Sequence, residues 1–583
     1  MKPIPDSHKK VPMMFRAQVQ GRSQLQYLDP SRRSADEKQD VQLWTEEWID
    51  KAELISEENA QDIETPTFQA KSYQISWRFV TNGAQDDGML RPVIGASGIP
   101  FYPGSSMKGA FRQACEQAEK AAEIPRGTCK KYCGDESEIT PGLLRFQGAY
   151  PTNDWRKGLL DLVHPQQGWQ VITRDTSSKP KGESAYAQVS LYQPTLRFAI
   201  SSPQPLSPEQ WQQIWRIWEK AIASGLGSKV SNGYGQISQT SHPILFRAKL
   251  KGQGQAAKLI DGSDEFRPNI FRAALRGHAL RIFGGLTDAE TAKQLVDELF
   301  GGIQQKDPTV GLLGFQFQSS KLEINSFGSG NYAQPAYQVE GELTWFLTRP
   351  LSNPNHEAIL KKLVAKLMQF GMVLGGFGKS WRRVDHRKFF EEYYDNSYKA
   401  LIGCHWQWLG ENSQRRNVQV WGLKQVGQFL DTVRQTAKEW MQSQNKPLRE
   451  TAYATDWREA WHPSNVQVWG RIADGADESV AVRWFHEPYQ QKISHHEQDK
   501  SIYQSSVTGK IEDKIATIGI LWHRMYPIIL LKKDPENPKK PIVRPTHCYL
   551  EIITIFPDDS QKCDNFLKFL KTQPEGFELL WGE

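Results

Sequence analysis

Apolar residues recur along this chain with helical spacing in seven segments and with strand character in the segments between them. The clearest helix is 208–223, where Trp211, Ile214, Trp215 and Trp218 fall on one face and Ser207 stands at the N-cap. The other predicted helices are residues 105–122, 270–283, 290–300, 356–370, 423–442 and 563–571. The predicted strands are residues 73–80, 142–147, 187–200, 245–250, 311–316, 339–346, 516–522 and 546–555.

Three of these features occur twice, in the same order, which is typical of an internal repeat. The first is a proline followed by a basic helix start, PGSSMKGAFR at 103–112 and PNIFRAALR at 268–276. The second is a strand opened by glycine, GLLRFQ at 142–147 and GLLGFQ at 311–316. The third is a helix that runs into a glycine-rich loop, ending in ASGLGSKVSNGYG at 235 and in FGMVLGGFGK at 379. We therefore predict two copies of one fold.

Each copy has the element order βαββαβ, which predicts an α+β protein built from two tandem ferredoxin-like modules. Two segments lie outside the repeat: an acidic N-terminal extension that contributes a strand, and a large insertion in the second module. The predicted boundaries are 1–65 for the extension, 66–241 for the first module, 242–389 for the start of the second, 390–514 for the insertion and 515–583 for the closing part of the second.

Charge is distributed unevenly along the 583 residues. The net charge is +6, but residues 1–65 carry nine Lys/Arg and thirteen Asp/Glu, so the remainder nets +10. A basic body with 20 Trp and 18 Tyr suits a polyanion that also offers faces for stacking, such as single-stranded RNA or DNA. An ordinary basic protein is the alternative that charge alone favours.

The remaining composition excludes several classes of protein. No apolar run approaches the roughly 20 residues of a membrane span, and the N-terminus lacks the apolar core of a signal peptide. Six cysteines are too few for a disulfide scaffold. We therefore expect a cytoplasmic protein with no membrane partner.

The helix start at 103–112 has the features of an anion site. Its proline and glycine predict a turn, and Ser105 or Ser106 is a suitable N-cap. Backbone N–H groups and the positive end of the helix would then face one point beside Lys108 and Arg112. An RNA phosphate fits there; the alternative is a well-capped helix with surface charges.

The two glycine-rich loops permit positive φ angles and close approach of backbone to a ligand. In the first loop Lys229 adds charge, Asn232 adds donors and Tyr234 adds a stacking face. In the second, Gly378-Lys379-Ser380 lacks the glycine that a P-loop requires, since that position is Val373. A phosphate-gripping loop is therefore the better hypothesis, and a helix C-cap followed by a turn is the alternative.

The run GIPFYPGSSMKGAFR and the loop GLGSKVSNGYG resemble the two signatures of the RAMP superfamily of CRISPR-associated proteins. RPNIFRAALRG at 267–277 is similar to a variant of the first signature, but Asn269 and Ile270 replace the usual hydroxyl residues. The resemblance implies ferredoxin-like modules that line up along a CRISPR RNA. Two fused modules imply a backbone subunit of a type III effector complex, with complementary target RNA and the backbone, capping and large subunits as partners.

The resemblance also implies the RNA-binding residues. In the first copy they are Gly104, Ser105, Ser106, Lys108, Arg112, Gly225, Gly227, Lys229, Asn232, Gly233 and Tyr234. In the second copy they are Arg267, Arg272, Arg276, Gly375, Gly376, Gly378, Lys379 and Arg382.

Cleavage of the target RNA is the enzymatic activity that the resemblance implies. It would use a loop carboxylate, Asp87 or Asp86, with Mg²⁺. Copy two offers Asp261, Asp264 and Glu265 in the matching place, where solvated turn residues are the favoured interpretation. Whether the chain is an enzyme stays open at this point.

Three cysteines form a further cluster in sequence. Cys115, Cys129 and Cys133 follow the first helix start with short spacing, and such thiolates bind Zn²⁺ when a fourth ligand is present. The next histidine in the sequence is His164, and the resemblance adds that zinc occurs in some members of this family. Three buried or free thiols are the alternative.

A stand-alone, metal-independent endoribonuclease that processes precursor CRISPR RNA is the alternative function. Such enzymes often use a histidine as general base. No histidine lies beside the first glycine-rich loop, and His278 and His386 are the residues available near the second helix start and loop.

Overall fold

A computed structural model shows the fold of the chain in two compact units. Unit 1 holds the described residues of 42–163, 186–243 and 258–263, and unit 2 holds those of 244–257 and 264–583. The described residues are 42, 44–46, 48–50, 52–55, 61–81, 83–86, 89–135, 137, 139–163, 186–238, 243–304, 307–328, 333–351, 353–390, 401–449, 457–490, 500–512, 515–537 and 541–583. Among them, no helix combines the length and the apolar character that crossing a membrane requires.

Module 1, within unit 1, is an antiparallel sheet with two long helices. Its strands lie in the order Ile63–Glu64, Phe68–Gln74, Thr195–Ser201 and Arg145–Pro151. The helices are Gly104–Lys120 and Pro208–Ala223, and they pack against each other and on the sheet. Strands 1, 2 and 3 of the βαββαβ fold are Phe68–Gln74, Arg145–Pro151 and Thr195–Ser201. Strand 3 lies between strands 1 and 2, as this fold requires.

In module 1, two segments share the sheet edge at which a βαββαβ fold has its fourth strand. Ile63–Glu64 precedes the first strand in the chain and pairs with Gln69 and Ala70 at this edge. After the second helix, Ile237 forms an isolated antiparallel bridge with Ile75, and Ser238 donates to the Gln74 carbonyl. The extension thus contributes a short strand, and the segment after the glycine-rich loop supplies only a bridge.

The helix Pro208–Ala223 confirms its prediction. Ser207 accepts from the Gln210 backbone N–H, and the Gln210 side chain accepts from Ser207 N–H in return, so both residues form a capping box. Trp211, Trp215 and Trp218 are buried. A helical segment of the extension joins the same core through Trp44 and Trp48. Phe15-Arg16-Ala17, which repeats Phe246-Arg247-Ala248 in the sequence, lies outside the described residues.

A second sheet in unit 1 includes Asp86, one of the two predicted cleavage carboxylates. Its strands lie in the order Ala84–Asp86, Met89–Arg91, Tyr186–Val189 and Leu160–Val163. The single strand predicted at 187–200 is therefore three strands, Tyr186–Val189, Leu191–Tyr192 and Thr195–Ser201, which belong to different sheets. Smaller pairs in this unit are Arg78–Phe79 with Leu191–Tyr192, and Gly134–Asp135 with Thr140–Pro141.

Module 2, within unit 2, has a complete βαββαβ fold. Its antiparallel strands lie in the order Leu313–Phe327, Gln334–Leu347, Ile244–Gln255 and Cys404–Trp408. Its helices are Ile270–Gly284 and Pro354–Val373, with an added helix Ala289–Phe300 capped by Asp288. Asn353 caps the second helix, because its side chain accepts from the Asn355 N–H. Numbered by position in the fold, the strand order is 2-3-1-4.

The complete order 2-3-1-4 appears again at the end of the chain. Module 3 has the antiparallel strand order Leu521–Lys532, Ile542–Ile555, Gln467–Ala473 and Glu578–Trp581. The helix Val480–His486 follows the strand Gln467–Ala473 in the sequence. The helix Gln561–Thr572 lies between the strands Ile542–Ile555 and Glu578–Trp581. A hairpin of Gly509–Glu512 and Ile515–Ile518 precedes the second strand.

Two predicted boundaries therefore differ from the structure. Residues 390–514 are not an insertion, because they hold the fourth strand of module 2 and the first strand and helix of module 3. Residues 515–583 do not close module 2, because their strands pair with Gln467–Ala473. The sequence prediction missed module 3 since its first helix has only seven residues and its helix start lacks the repeated motif.

A connecting helix, Lys424–Ser443, and the segment 457–465 join modules 2 and 3 into one core. Glu459 in this segment is fully buried and forms ion pairs with Arg281, Arg382 and Arg458 at 2.5–2.9 Å. Burial alone would raise the pKa of Glu459, but the three arginines lower it to about 2. The Trp461 backbone N–H also donates to the Arg281 carbonyl at 2.9 Å.

We expect Glu459→Gln to lower the free energy of unfolding of unit 2 by about 3–5 kcal/mol, because three buried arginines lose their counter-charge. The folded pKa of Glu459, about 2, lies below the usual 4.5, so its stabilisation is complete above pH 4.5 and is lost as the pH falls towards 2. Urea unfolding of the full chain followed by tryptophan fluorescence measures both effects.

The matched control is Glu439→Gln, because Glu439 pairs with Lys362 at the surface. That change should cost at most about 1 kcal/mol. Equal losses in the two variants would contradict a special role for Glu459.

Candidate nucleic-acid interface

The first helix of module 1 begins one residue earlier than predicted. Gly104 is its first residue and Pro103 is the N-cap, and the described residues provide no side-chain cap. The prediction that Ser105 or Ser106 caps the helix is therefore wrong. Both serines are exposed in the first turn, and no acidic residue accompanies them there. The N–H groups of this turn are left for solvent or for an anion.

Two glycines hold this helix start against the neighbouring strand Arg145–Pro151. A Cβ at Gly104 would lie 2.1 Å from the Phe146 carbonyl oxygen. Gly148 has φ +83°, and a Cβ there would lie 2.2 Å from the Tyr102 carbonyl oxygen. Tyr102 and Ala149 exchange backbone hydrogen bonds at 2.8 and 2.9 Å beside them. Gly104 thus serves close packing, and sequence reasoning missed Gly148 because it lies outside both recognised motifs.

The two cations of the first helix differ in their contacts. Arg112 donates to the carbonyls of Cys133 and Gly134, both at 3.4 Å, where the short helix Thr128–Cys133 ends. Lys108 is half-buried and, among the described residues, forms no salt bridge. Lys108 is therefore the better phosphate ligand of the two, and Arg112 already has acceptors.

The first glycine-rich loop is a series of left-handed residues. Gly225, Gly227, Gly233 and Gly235 have φ between +63° and +98°, and Lys229 has φ +60°. All four glycines occupy conformations that other residues adopt at a cost. The predicted need for positive φ is confirmed.

Close backbone contacts fix this loop in place. A Cβ at Gly227 would lie 2.2 Å from the Val80 carbonyl oxygen, and one at Gly235 would lie 1.9 Å from that of Leu226. The buried Gln236 side chain donates to the carbonyls of Ser224 and Val230 at 3.3 and 3.2 Å. The loop is preorganised, with Lys229 and Asn232 half-buried on it.

Tyr234 does not offer a stacking face, contrary to the prediction. It is 2% exposed, its ring lies 4.7 Å from the Trp77 ring, and its hydroxyl donates to Asp161 Oδ2 at 2.6 Å. Gln188 donates to the same carboxylate oxygen at 3.1 Å. Tyr234 instead anchors the end of the loop in the core of unit 1.

The helix start of module 2 also lacks a side-chain cap among the described residues, and Asn269 is its N-cap. Its arginines point elsewhere. Arg272 donates to the carbonyl of Phe300, where the added helix ends, and Arg276 pairs with Asp297 at 3.0 Å. Burial and the nearby Arg276 lower the pKa of Arg272 to about 9. Both arginines hold the added helix, and this leaves them poorly placed for RNA.

The second glycine-rich loop is largely internal, which corrects three predicted RNA contacts. Gly375 and Gly376 are buried, and a Cβ at Gly375 would lie 2.3 Å from His278 Nε2. Arg382 belongs to the Glu459 cluster. The predicted RNA contacts that stay at or near the surface are Gly378, at φ +107°, and Lys379.

Lys379 and Arg267 form a positive pair beside the helix start of module 2. Lys379 is an exposed residue whose ammonium group donates to the Ala256 carbonyl at 3.2 Å. Partial burial of the ammonium, and next the charge of Arg267, lower the pKa of Lys379. Two like charges held together favour an anion between them.

In module 3 a carboxylate of the protein itself occupies the start of the first helix. Glu551 is fully buried and accepts from the backbone N–H of Ala481 at 3.0 Å, from Ser479 Oγ at 2.5 Å and from Arg471 Nε at 2.6 Å. His523 Nε2 lies 3.1 Å from the same carboxylate. Burial would raise the pKa of Glu551, but these partners lower it to about 2. No position is left there for a phosphate.

Known proteins were compared with the chain. Residues 90–238, which span the first helix and the first glycine-rich loop, match the model of the RAMP superfamily. The match covers 149 of the 583 residues. No curated protein matches the chain.

Solved structures resemble parts of the chain. One similar chain comes from the cryo-EM structure of the Type III-B Cmr-beta bound to cognate target RNA, at 18% identity. The match covers 35% of this chain and 75% of that one, with a TM-score of 0.24. A likeness at that TM-score is too weak to support a conclusion about function.

Of the two predicted cleavage carboxylates, the structure describes Asp86, which precedes the residues that match the RAMP superfamily. Asp86 ends the strand Ala84–Asp86 and pairs with Met89 of the next strand. Asp87 lies outside the described residues. In the matching segment of the second sequence copy, Asp261 accepts from the N–H and hydroxyl of Ser263, as a turn residue does. Asp264 is exposed and Glu265 is buried.

The three thiols of unit 1 share one part of the core. Cys129 interacts with both Cys115 and Cys133, and burial is the main cause that raises the pKa of all three, to about 12 for Cys133. Their donor chemistry fits zinc. Across the described part of the chain, however, the group with ligand atoms within 4.8 Å of one another is Asp474, His547 and Cys548, and His164 lies outside the described residues.

We expect Tyr234→Phe to lower the free energy of unfolding by about 1–3 kcal/mol, because the buried Asp161 carboxylate loses a donor. Tyr150→Phe, a half-buried tyrosine of the same unit, is the control and should stay within about 0.5 kcal/mol. Chemical denaturation of the full chain measures both. A Tyr234→Phe variant as stable as wild type would contradict the anchoring role.

Proposed function

We propose that this chain is a CRISPR RNA-binding backbone subunit of a type III effector complex that recognises complementary target RNA. The observation that carries the proposal is the uncapped helix start at Gly104, with exposed Ser105 and Ser106, in a region that matches the RAMP superfamily. Its N–H groups, the positive helix end and Lys108 together suit a phosphate.

The modules contribute unequally to this proposed binding. Module 1 offers the helix start and a preorganised loop with Lys229 and Asn232. Module 2 offers the positive pair Arg267 and Lys379. Module 3 offers no free helix start, since Glu551 fills it. We therefore assign the guide RNA to modules 1 and 2, and contacts with other effector subunits to the rest of the surface.

RNA that copurifies with the chain tests this function. The full chain would be expressed in cells that carry a CRISPR array, purified at moderate salt, and its bound RNA sequenced. A defined guide with a repeat-derived 5′ tag supports the proposal. Random cellular RNA would reject it.

Lys108→Ala should weaken RNA binding to a similar degree for all sequences and should reduce the slope of log affinity against log salt by about 0.7, the value for one phosphate of a single strand. Fluorescence anisotropy with two unrelated guide sequences over a range of salt measures both quantities. Lys120→Ala is the matched control, because Lys120 is exposed at the opposite end of the same helix. Identical slopes in both variants would remove the helix start from the binding site.

Target cleavage, where it occurs, is proposed to use Asp87 or Asp86 with Mg²⁺. A carboxylate beside the guide–target duplex would hold the ion that stabilises the charge on the phosphate being cut. Asp86→Asn and Asp87→Asn, each in the assembled complex with matched target RNA, should give loss of cutting in one variant with RNA binding kept. Full cutting in the double variant would show that the reaction takes place elsewhere.

The processing endoribonuclease gains no support from the histidines considered for it. His278 and His386 are 1% and 3% exposed, and burial lowers the pKa of both, to about 3 for His386. An imidazole whose pKa is lowered and that has no access to substrate is a weak general base for RNA. Cleavage of precursor CRISPR RNA by the purified chain in EDTA would restore this alternative.

Zinc binding by Cys115, Cys129 and Cys133 is also a proposal. Raised thiol pKa values mean that metal binding there must release protons, so zinc content should fall at low pH.

A further inference from the structure

A group of three potential metal ligands lies in module 3, well separated in sequence from the thiols discussed above. Asp474 follows the first strand, and His547 and Cys548 belong to the third. One ligand atom from each lies within 4.8 Å of the others. Asp474 and His547 are exposed, and Cys548 is half-buried against the core. An ion can therefore reach the group from solvent.

An irregularity in the sheet brings two adjacent residues to one point. Successive side chains of a regular strand point to opposite faces. Here the pairing shifts between Pro527, which faces Tyr549, and Ile529, which faces Pro545. The stretch 546–548 therefore stands opposite one residue, which is the arrangement of a bulge that redirects a side chain. His547 and Cys548 can then act together.

Hydrogen bonds hold this bulge in shape. Thr546 Oγ1 donates to the Ile528 carbonyl at 2.7 Å and accepts from the Cys548 N–H at 3.2 Å. On the neighbouring strand, Ala473 pairs with Tyr549, so Asp474 stands next to Cys548 across the ladder. The ligands are thus positioned by the backbone of two paired strands.

We propose that Asp474, His547 and Cys548 bind a zinc-type divalent cation, with a fourth position open to water. A thiolate and an imidazole are donors that zinc prefers over the oxygen-only sets of Mg²⁺ and Ca²⁺. Ligand atoms around a tetrahedral zinc ion lie about 3.5 Å apart, given bond lengths near 2.0–2.3 Å. The present separations, within 4.8 Å, require the ligand atoms to move closer by about 1 Å when the ion binds.

The proposed ion would tie together two parts of module 3. Asp474 opens the loop that leads to Ser479, and Ser479 caps the first helix and contacts Glu551. His547 and Cys548 lie on the strand that carries Glu551. A bound ion would therefore fix the loop 474–479 to this strand, and its role would be structural.

The test uses the full chain, stripped with a chelator and titrated with Co²⁺ as a probe. Bound Co²⁺ should give thiolate charge-transfer absorption, and Zn²⁺ should displace it. Cys548→Ser should lose one equivalent of this absorption. Cys129→Ser is the control, because it alters the thiols of unit 1 and should leave that equivalent in place.

Asp474→Asn keeps the thiol and provides the second variant. It should weaken Zn²⁺ affinity by more than about 100-fold, since losing an outer partner alone costs 10–100-fold. It should keep the charge-transfer band at saturating Co²⁺. Thermal unfolding in chelator checks that the variants are folded. Equal metal stoichiometry in wild type and Cys548→Ser, with both folded, would overturn the proposal.

Discussion

The carboxylate of Glu459 is the constraint on which unit 2 depends. It comes from the segment between two modules, and its partners come from the first helix of module 2, from the loop after the second helix and from the segment itself. Three arginines around one carboxylate leave a net positive charge in a buried place. Nearby tryptophans face two of these guanidinium groups, with Arg281 5.0 Å and Arg382 4.6 Å from the Trp381 ring centroid. The cluster fixes how modules 2 and 3 share one core.

The same arrangement of the first three strands supports three different helix starts. In module 1 the first turn is uncapped and exposed, and close glycine contacts hold it against a strand. In module 2 the arginines of the helix contact the added helix, and Lys379 of the loop provides positive charge beside the helix start. In module 3 an internal glutamate satisfies the N–H groups. Topology is therefore preserved while the chemistry of the site changes, which agrees with the rule that function resides in sites rather than folds.

Local patterns in the sequence predicted what depends on neighbouring residues. The helix Pro208–Ala223 with its Ser207 cap, the positive φ angles of the first loop and the α+β class all follow from spacing and residue type. The family resemblance at 103–112 is matched by residues 90–238.

The features that the sequence did not predict depend on contacts between residues that are distant in the sequence. Tyr234 and Arg382 have the residue types of RNA contacts, but Asp161 and Glu459, distant in sequence, draw them into the core. Module 3 was not predicted because its first helix is short. In addition, the periodicity of the sequence does not reveal the pairing of the strands 467–473 and 542–555. The group around Cys548 depends on a bulge, and no local pattern marks one.

Glu551 makes the stability of module 3 independent of any ligand at its helix start. The first helix of module 1 has no such internal anion among the described residues, so an anion bound there adds its binding free energy to folding. Within one chain, the same fold is thus thermodynamically linked to its ligand in one copy and unlinked in another. Release of an anion from the helix start at Gly104 would open the backbone there to hydrogen exchange, and the helix start at Ser479 would keep its protection.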